Sequence, residues 1–168
     1  INCLCAFLIQ ECLNTDMGLK ILIIGSGGRE HAISWIISKS KREIEKIYVM
    51  PGNAGTLSEK NVFNIECDIN NHQAILNFAL ENNIDLTIVG PEVPLVEGIS
   101  DLFEENNLNI FGPKKYFAQL EGSKVFSKNF MDSNSLPTAG YKEFDDSKKA
   151  KDYLCLLYTS DAADDTCC

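Results

Sequence analysis

No apolar run in the 168 residues approaches the roughly 20 that a helix needs to cross a bilayer. Basic residues are also short, with 15 Lys and Arg against 24 Asp and Glu. The first absence argues against a membrane-embedded protein. The second gives a formal charge of −9 with no Lys/Arg stripe, which argues against a nucleic-acid partner because phosphate backbones select basic faces. Any anion bound by this chain is a small, locally held one.

Internal cysteine is scarce as well. Of the seven, Cys3, Cys5 and Cys12 precede Met17, and Cys155, Cys167 and Cys168 lie near the end, so Cys67 stands alone in the body. One thiol cannot build a disulfide framework, which suits a reducing cytosol and predicts a cytoplasmic protein. Neither Cys3-x-Cys5 nor Cys167-Cys168 has zinc-knuckle spacing, and no histidine lies near them, so no metal site is expected there.

The chain ends depart in pattern from the body. Residues 1–16 lack a basic n-region and a small-residue cleavage site, so they read as an upstream tail rather than a secretory signal, with coding sequence proper starting at Met17. Residues 155–168 break with the Lys-rich amphipathic pattern before them and resemble translated adapter or vector sequence, a short amphipathic end helix being the alternative. On that reading the natural protein continues past Leu154 and the chain is a fragment.

In the body, 45% hydrophobic and 23% charged residues fit one well-packed domain and part of another. Strand and helix signals alternate. Strands are predicted at Ile21–Ile24, Ile47–Val49, Val62–Ile65, Leu86–Val89 and Asn109–Phe111. Helices are predicted over Glu30–Ser38 with Ile33, Trp35, Ile36 and Ile37 inward, over Asn70–Glu81 with Ala74, Ile75, Phe78 and Ala79 inward, over Leu95–Glu105, and over Ser123–Ser133 before Pro137. This alternation predicts an α/β fold, a Rossmann-like parallel sheet with helices on both faces.

Ligands of such sheets bind outside the carboxyl ends of the strands. Four shaped loops fall there: Gly25-Ser26-Gly27-Gly28-Arg29, Met50-Pro51-Gly52-Asn53-Ala54-Gly55-Thr56, Gly90-Pro91-Glu92-Val93-Pro94 and Gly112-Pro113-Lys114. The first joins an apolar strand to a helix through glycines, so that unpaired helix amides face a phosphate or carboxylate. A dinucleotide site fits poorly. The G-x-G-x-x-G/A fingerprint needs Gly or Ala where Glu30 stands, and the second strand ends in Met50-Pro51-Gly52-Asn53 without a ribose-binding acid.

Taken in order, Gly25-Ser26-Gly27-Gly28-Arg29-Glu30-His31-Ala32, Pro51-Gly52-Asn53-Ala54-Gly55-Thr56, Asp85 through Val96, and Ile110-Phe111-Gly112-Pro113 followed by Ala118 through Lys124 resemble the phosphoribosylamine–glycine ligase (glycinamide ribonucleotide synthetase) family. The resemblance runs from Met17 to about Leu154. It implies a pre-ATP-grasp N-terminal domain over 17–118 and the truncated start of an ATP-grasp domain over 119–154. It also implies a ligase of purine synthesis that joins glycine to phosphoribosylamine through a glycyl phosphate, giving glycinamide ribonucleotide, ADP and phosphate. ATP and Mg²⁺ are the implied cofactors, with the metal ligands, second ATP lysine and glycine-rich flap expected beyond Leu154. The catalytic groups are therefore not expected here, and the chain alone is expected to be inactive.

On this resemblance the substrate-binding candidates are Gly25, Gly27, Gly28, Arg29, Glu30, Pro51, Gly52, Asn53, Pro91, Glu92 and Pro94. The amides of Gly27 and Gly28 and the Arg29 fork suit an anionic group, and Glu92 suits an ammonium or ribose hydroxyls. Glu30 serves equally as a charge favouring the helix N-terminus, and Asn53 equally as a turn residue. Lys124 is the lysine placed to reach ATP, with Lys128 one turn on. His31 is as well explained by packing, His72 by solvation and Trp35 by the core. The alternatives are the N-domain of another ATP-grasp enzyme, such as a biotin-dependent carboxylase, and a non-catalytic small-molecule binding module.

Overall fold

Five short apolar segments pair into one parallel sheet in the computed structural model, which describes residues 18–161. They are β1 (Leu19–Gly25), β2 (Ile44–Pro51), β3 (Val62–Asn64), β4 (Leu86–Val89) and β5 (Ile110–Phe111), in the order β3-β2-β1-β4-β5. The α/β expectation holds. Residues 1–17 and 162–168, and with them the readings of Met17 and of five terminal cysteines, lie outside the described residues.

The central strand explains the layering. Side chains alternate across a strand, so Leu22 and Ile24 of β1 enter one core while Ile21 and Ile23 enter the other, all four at 3% exposure or less. On the first face lie α2 (His72–Glu81), α3 (Glu92–Glu97), α4 (Ile99–Glu105) and α5 (Lys115–Gly122), which bring Ile75, Leu76, Ala79, Leu95, Ile99, Phe103 and Ala118. The second face is covered by α1 (Gly28–Ser38) through Ile33 and Ile37.

Two expectations about α1 and α4 are corrected. Trp35 is not core: it is 42% exposed, Ile36 is 58% exposed, and the Lys39 ammonium lies 3.8 Å from the indole centroid. At 3.6 residues per turn, Glu30, Ser34 and Ile37 make the inward stripe together with Ile33, and Trp35 and Ile36 fall outside it. The helix predicted over Leu95–Glu105 starts earlier and breaks at Gly98, which takes φ +104°, a left-handed conformation that favours glycine.

The chain divides into two compact units after Gly122, four residues past the boundary expected at 118/119. The second unit holds α6 (Lys124–Ser133) and α7 (Ser147–Asp161). Ser123 caps α6 by accepting the Phe126 N–H at 3.2 Å, and the helix stops ahead of Pro137. The pattern break expected after Leu154 is not a break in the backbone, because α7 runs through it to Asp161.

Core and surface aromatic or aliphatic positions should respond very differently to truncation. Phe103→Ala empties a fully buried site and is expected to cost about 3–5 kcal/mol in urea unfolding, whereas Ile36→Ala should stay within about 0.5 kcal/mol.

Candidate functional site

The sheet order reverses direction between β1 and β4, so the segments leaving these neighbouring parallel strands diverge and open a crevice at their carboxyl ends. Arg29, at the start of α1, and Glu92, at the start of α3, face each other across it. Arg29 Nη2 lies 3.9 Å from Glu92 Oε2, with the side chains 61% and 48% exposed. An ion pair so exposed contributes little stability, about 0–1 kcal/mol, and both charged heads remain open to a ligand. The site thus offers a planar cationic fork beside a carboxylate.

Beneath Arg29, Glu30 points inward and is only 4% exposed. Its Oε2 accepts the Gly27 N–H, and its Oε1 lies 3.7 Å from Arg29 Nε. Gly27 is the N-cap of α1 and Glu30 the third residue of the helix, so this is half of a capping box, glycine having no side chain to reciprocate. A Cβ on Gly90 would collide with Glu30 Oε1, and one on Gly25 would fall 2.7 Å from its Cδ. These glycines accommodate an internal carboxylate.

The expectation that both Gly27 and Gly28 amides face a ligand is accordingly revised. Gly27 is engaged by Glu30, and Glu30 is turned into the protein rather than toward the crevice. Gly28 differs, since a Cβ there would meet nothing within 4 Å. Open space is thus left at Gly28, beside the exposed Arg29 fork.

Asn53 fastens the β2 loop to this turn. Its Nδ2 donates to the carbonyls of Ser26 (2.8 Å) and Gly27 (3.1 Å), and its Oδ1 accepts the N–H groups of Gly55 (2.8 Å) and Thr56 (3.1 Å). The amide's two donors and its oxygen are thus committed within the protein, where they fasten the β2 loop to the glycine turn. The buried Thr56 hydroxyl bridges Asn53 and Asn64, and Gly52, at φ +74°, leaves no room for a Cβ, which would collide with the Asn64 side-chain amide. Gly52 N–H also donates to Gly25 O at 3.1 Å. Pro51 ends β2 and is partly exposed.

The loop after β4 is shorter than expected. Pro91 is the N-cap of α3, Glu92 begins the helix, and Pro94 is buried in its first turn, where proline is tolerated but no substrate can reach it. Lys114, in the loop after β5, pairs instead with Glu104, and this contact raises the lysine pKa, first by hydrogen bonding and then by charge. That loop contributes no charge to the Arg29–Glu92 pair.

His31 lies over Gly55 with Nε2 3.0 Å from Glu59 Oε1, and lines a groove of about 380 Å³ with Gly28, Ala32, Trp35 and Glu59. His72 is not simply solvated: its side chain is 17% exposed, and Nε2 lies 3.3 Å from Glu97 Oε2 without a well-aligned hydrogen bond. Burial, and then the charge of Asp68, push the Cys67 thiol pKa up. In the second unit Lys124 is exposed at the start of α6, while Lys128 Nζ donates to Thr138 Oγ1 and Ala139 O at 2.6 and 3.0 Å. Among the described residues no group of three or more His, Cys, Asp or Glu side chains could hold a metal.

Sequence reasoning missed the inward carboxylate and the Asn53–Thr56–Asn64 network. The Gly27-x-x-Glu30 and Asn53-x-x-Thr56 spacings were the available signals. Replacing Asn53 by Ala removes four side-chain contacts from a partly buried turn, and should cost about 1–3 kcal/mol in urea unfolding while leaving far-ultraviolet dichroism unchanged.

Residues 19–121 match the model of the family described as phosphoribosylglycinamide synthetase, N domain. Phosphoribosylamine–glycine ligase of Clostridium acetobutylicum is 50% identical over 136 residues, covering 81% of this chain and 32% of that protein. The Fusobacterium nucleatum ligase is 52% identical over the same length, covering 81% and 31%. The chain therefore spans about a third of the length of these relatives. Among solved structures, the biotin carboxylase domain of Hydrogenobacter thermophilus 2-oxoglutarate carboxylase matches with a TM-score of 0.61 at 20% identity, covering 85% of this chain and 34% of that one. The biotin carboxylase subunit of pyruvate carboxylase matches at 0.54 and 22%, covering 84% and 33%. At such identity these show the fold alone, whereas the matched N domain and the ligases place the chain in the phosphoribosylglycinamide synthetase family.

Proposed function

We propose that this chain supplies the substrate-side N-terminal part of an ATP-dependent ligase that joins glycine to phosphoribosylamine in purine synthesis. The observation that carries the proposal is the pairing of Arg29 with Glu92 at the switch point of a chain half identical to ligases of that name. Phosphoribosylamine carries a phosphate, ribose hydroxyls and an amine. The Arg29 guanidinium and the open Gly28 amide suit the phosphate, and the Glu92 carboxylate suits the hydroxyls or an ammonium.

The work of these residues is positioning. Holding the substrate amine in a fixed orientation lowers the entropic part of the barrier to attack on an activated glycine carboxylate, and no covalent nucleophile is required of the protein. Asn53 and Glu30 keep the glycine turn in one shape, so the Arg29 fork starts from a rigid base. Lys124 is the candidate for ATP contact in the second unit. Mg²⁺ would screen the phosphate charge, but no group among the described residues fits it.

The biotin-carboxylase reading rests on structures near 20% identical and so on fold alone, while the identity near 50% favours the ligase. A stable probe tests the substrate site. Ribose 5-phosphate should bind the 168-residue chain with an affinity that Arg29→Ala lowers about tenfold by calorimetry, and an unchanged affinity would remove Arg29 from the site. Supplied with ATP, glycine and phosphoribosylamine, the same chain should release no phosphate above background. Turnover would show that it holds the whole active site.

A further inference from the structure

Glycine turns that bind dinucleotides place the pyrophosphate against the first amides of the helix, and their third Gly or Ala lets helix and strand approach closely. Here the first two positions are kept as Gly25 and Gly27, and the third is Glu30. The substituted side chain is not turned out to solvent. It is 4% exposed, its carboxylate takes the Gly27 N–H, and it fills the space left by the missing side chains of Gly25 and Gly90. A negative group thus already sits at the positive end of α1, where a ligand phosphate would otherwise be stabilised.

We infer that Glu30 is a specificity-determining residue, a built-in occupant of the turn that excludes nucleotide phosphates from the N-terminal sheet. The exclusion has two parts. The carboxylate consumes the Gly27 donor and the space between the turn and Gly90, and its charge repels any second anion brought against the same amides. A substrate anion is left with the outer face, at Gly28 and Arg29, where the guanidinium also lies 3.7 Å from Glu30 Oε1 and screens it. Nucleotide phosphates are thereby kept from the turn even though two of its three fingerprint positions are the glycines of a dinucleotide turn. The inference goes beyond the ligase proposal and stands on the turn geometry, whichever substrates the crevice takes.

The test titrates inorganic pyrophosphate into the full 168-residue chain by calorimetry, with the backbone amide shift at Gly27, the donor that Glu30 occupies and the ligase proposal does not use, reporting binding at the turn. Glu30→Ala completes Gly-x-Gly-x-x-Ala and should tighten pyrophosphate binding at the turn by about tenfold or more. Glu30→Gln keeps the volume and removes only the charge, and should tighten it by about threefold. If the alanine variant fails to fold by circular dichroism, the glutamine variant carries the test. A folded Glu30→Ala chain with no gain at the turn, or a Glu30→Gln chain that binds like the wild type, overturns the inference and leaves Glu30 as a helix cap. Neither result depends on ribose 5-phosphate binding, so failure here is distinguishable from failure of the ligase proposal.

Discussion

The geometry of the crevice hangs on β1. Its Ile21, Leu22, Ile23 and Ile24 are buried alternately in two cores, so the strand cannot shift without opening both. Parallel pairing with β2 on one side and β4 on the other then places three strand ends in one row. Because β1 is fixed, the turn that follows it is fixed at its root, and everything at the carboxyl edge is referred to Gly25.

From that root the edge is fastened by polar contacts rather than by apolar area. Gly90 N–H donates to Ile24 O, Gly52 N–H to Gly25 O, and the Asn53 side chain to two carbonyls of the glycine turn. Glu30 closes the same turn from within. Each contact satisfies a backbone group that the loops would otherwise leave unpaired, and together they set the turn from which Arg29 faces Glu92 at 3.9 Å. The glycines of this edge therefore record two different needs: Gly25, Gly52 and Gly90 make room for neighbouring side chains, while Gly28 stays open.

The fold was legible because its signals are local and repeated. Runs such as Ile21–Ile24 and Leu86–Val89, separated by helical spacing, specify parallel strands with few alternatives. The errors fell where periodicity is ambiguous: α1 has apolar residues around much of its surface, and only packing shows that Ile33 and Ile37 face the sheet while Trp35 does not. At the site, Arg29 and Glu92 were legible as charged residues at strand ends. The roles of Glu30, Asn53 and Pro94 were not, because a polar or proline residue in a loop reads alike whether it turns inward or outward.

What the sequence determined by itself was the order of elements, the position of the four shaped loops and membership of a ligase family, since these reside in local pattern and in the succession of motifs. Tertiary structure decided which of those loops meet. It joined the turns after β1, β2 and β4 and directed Lys114, after β5, toward Glu104. It also decided that a carboxylate near a glycine cradle lies beneath the cradle, because only the strand order brings Gly90 within van der Waals reach of Glu30 and closes the space in which its side chain is held.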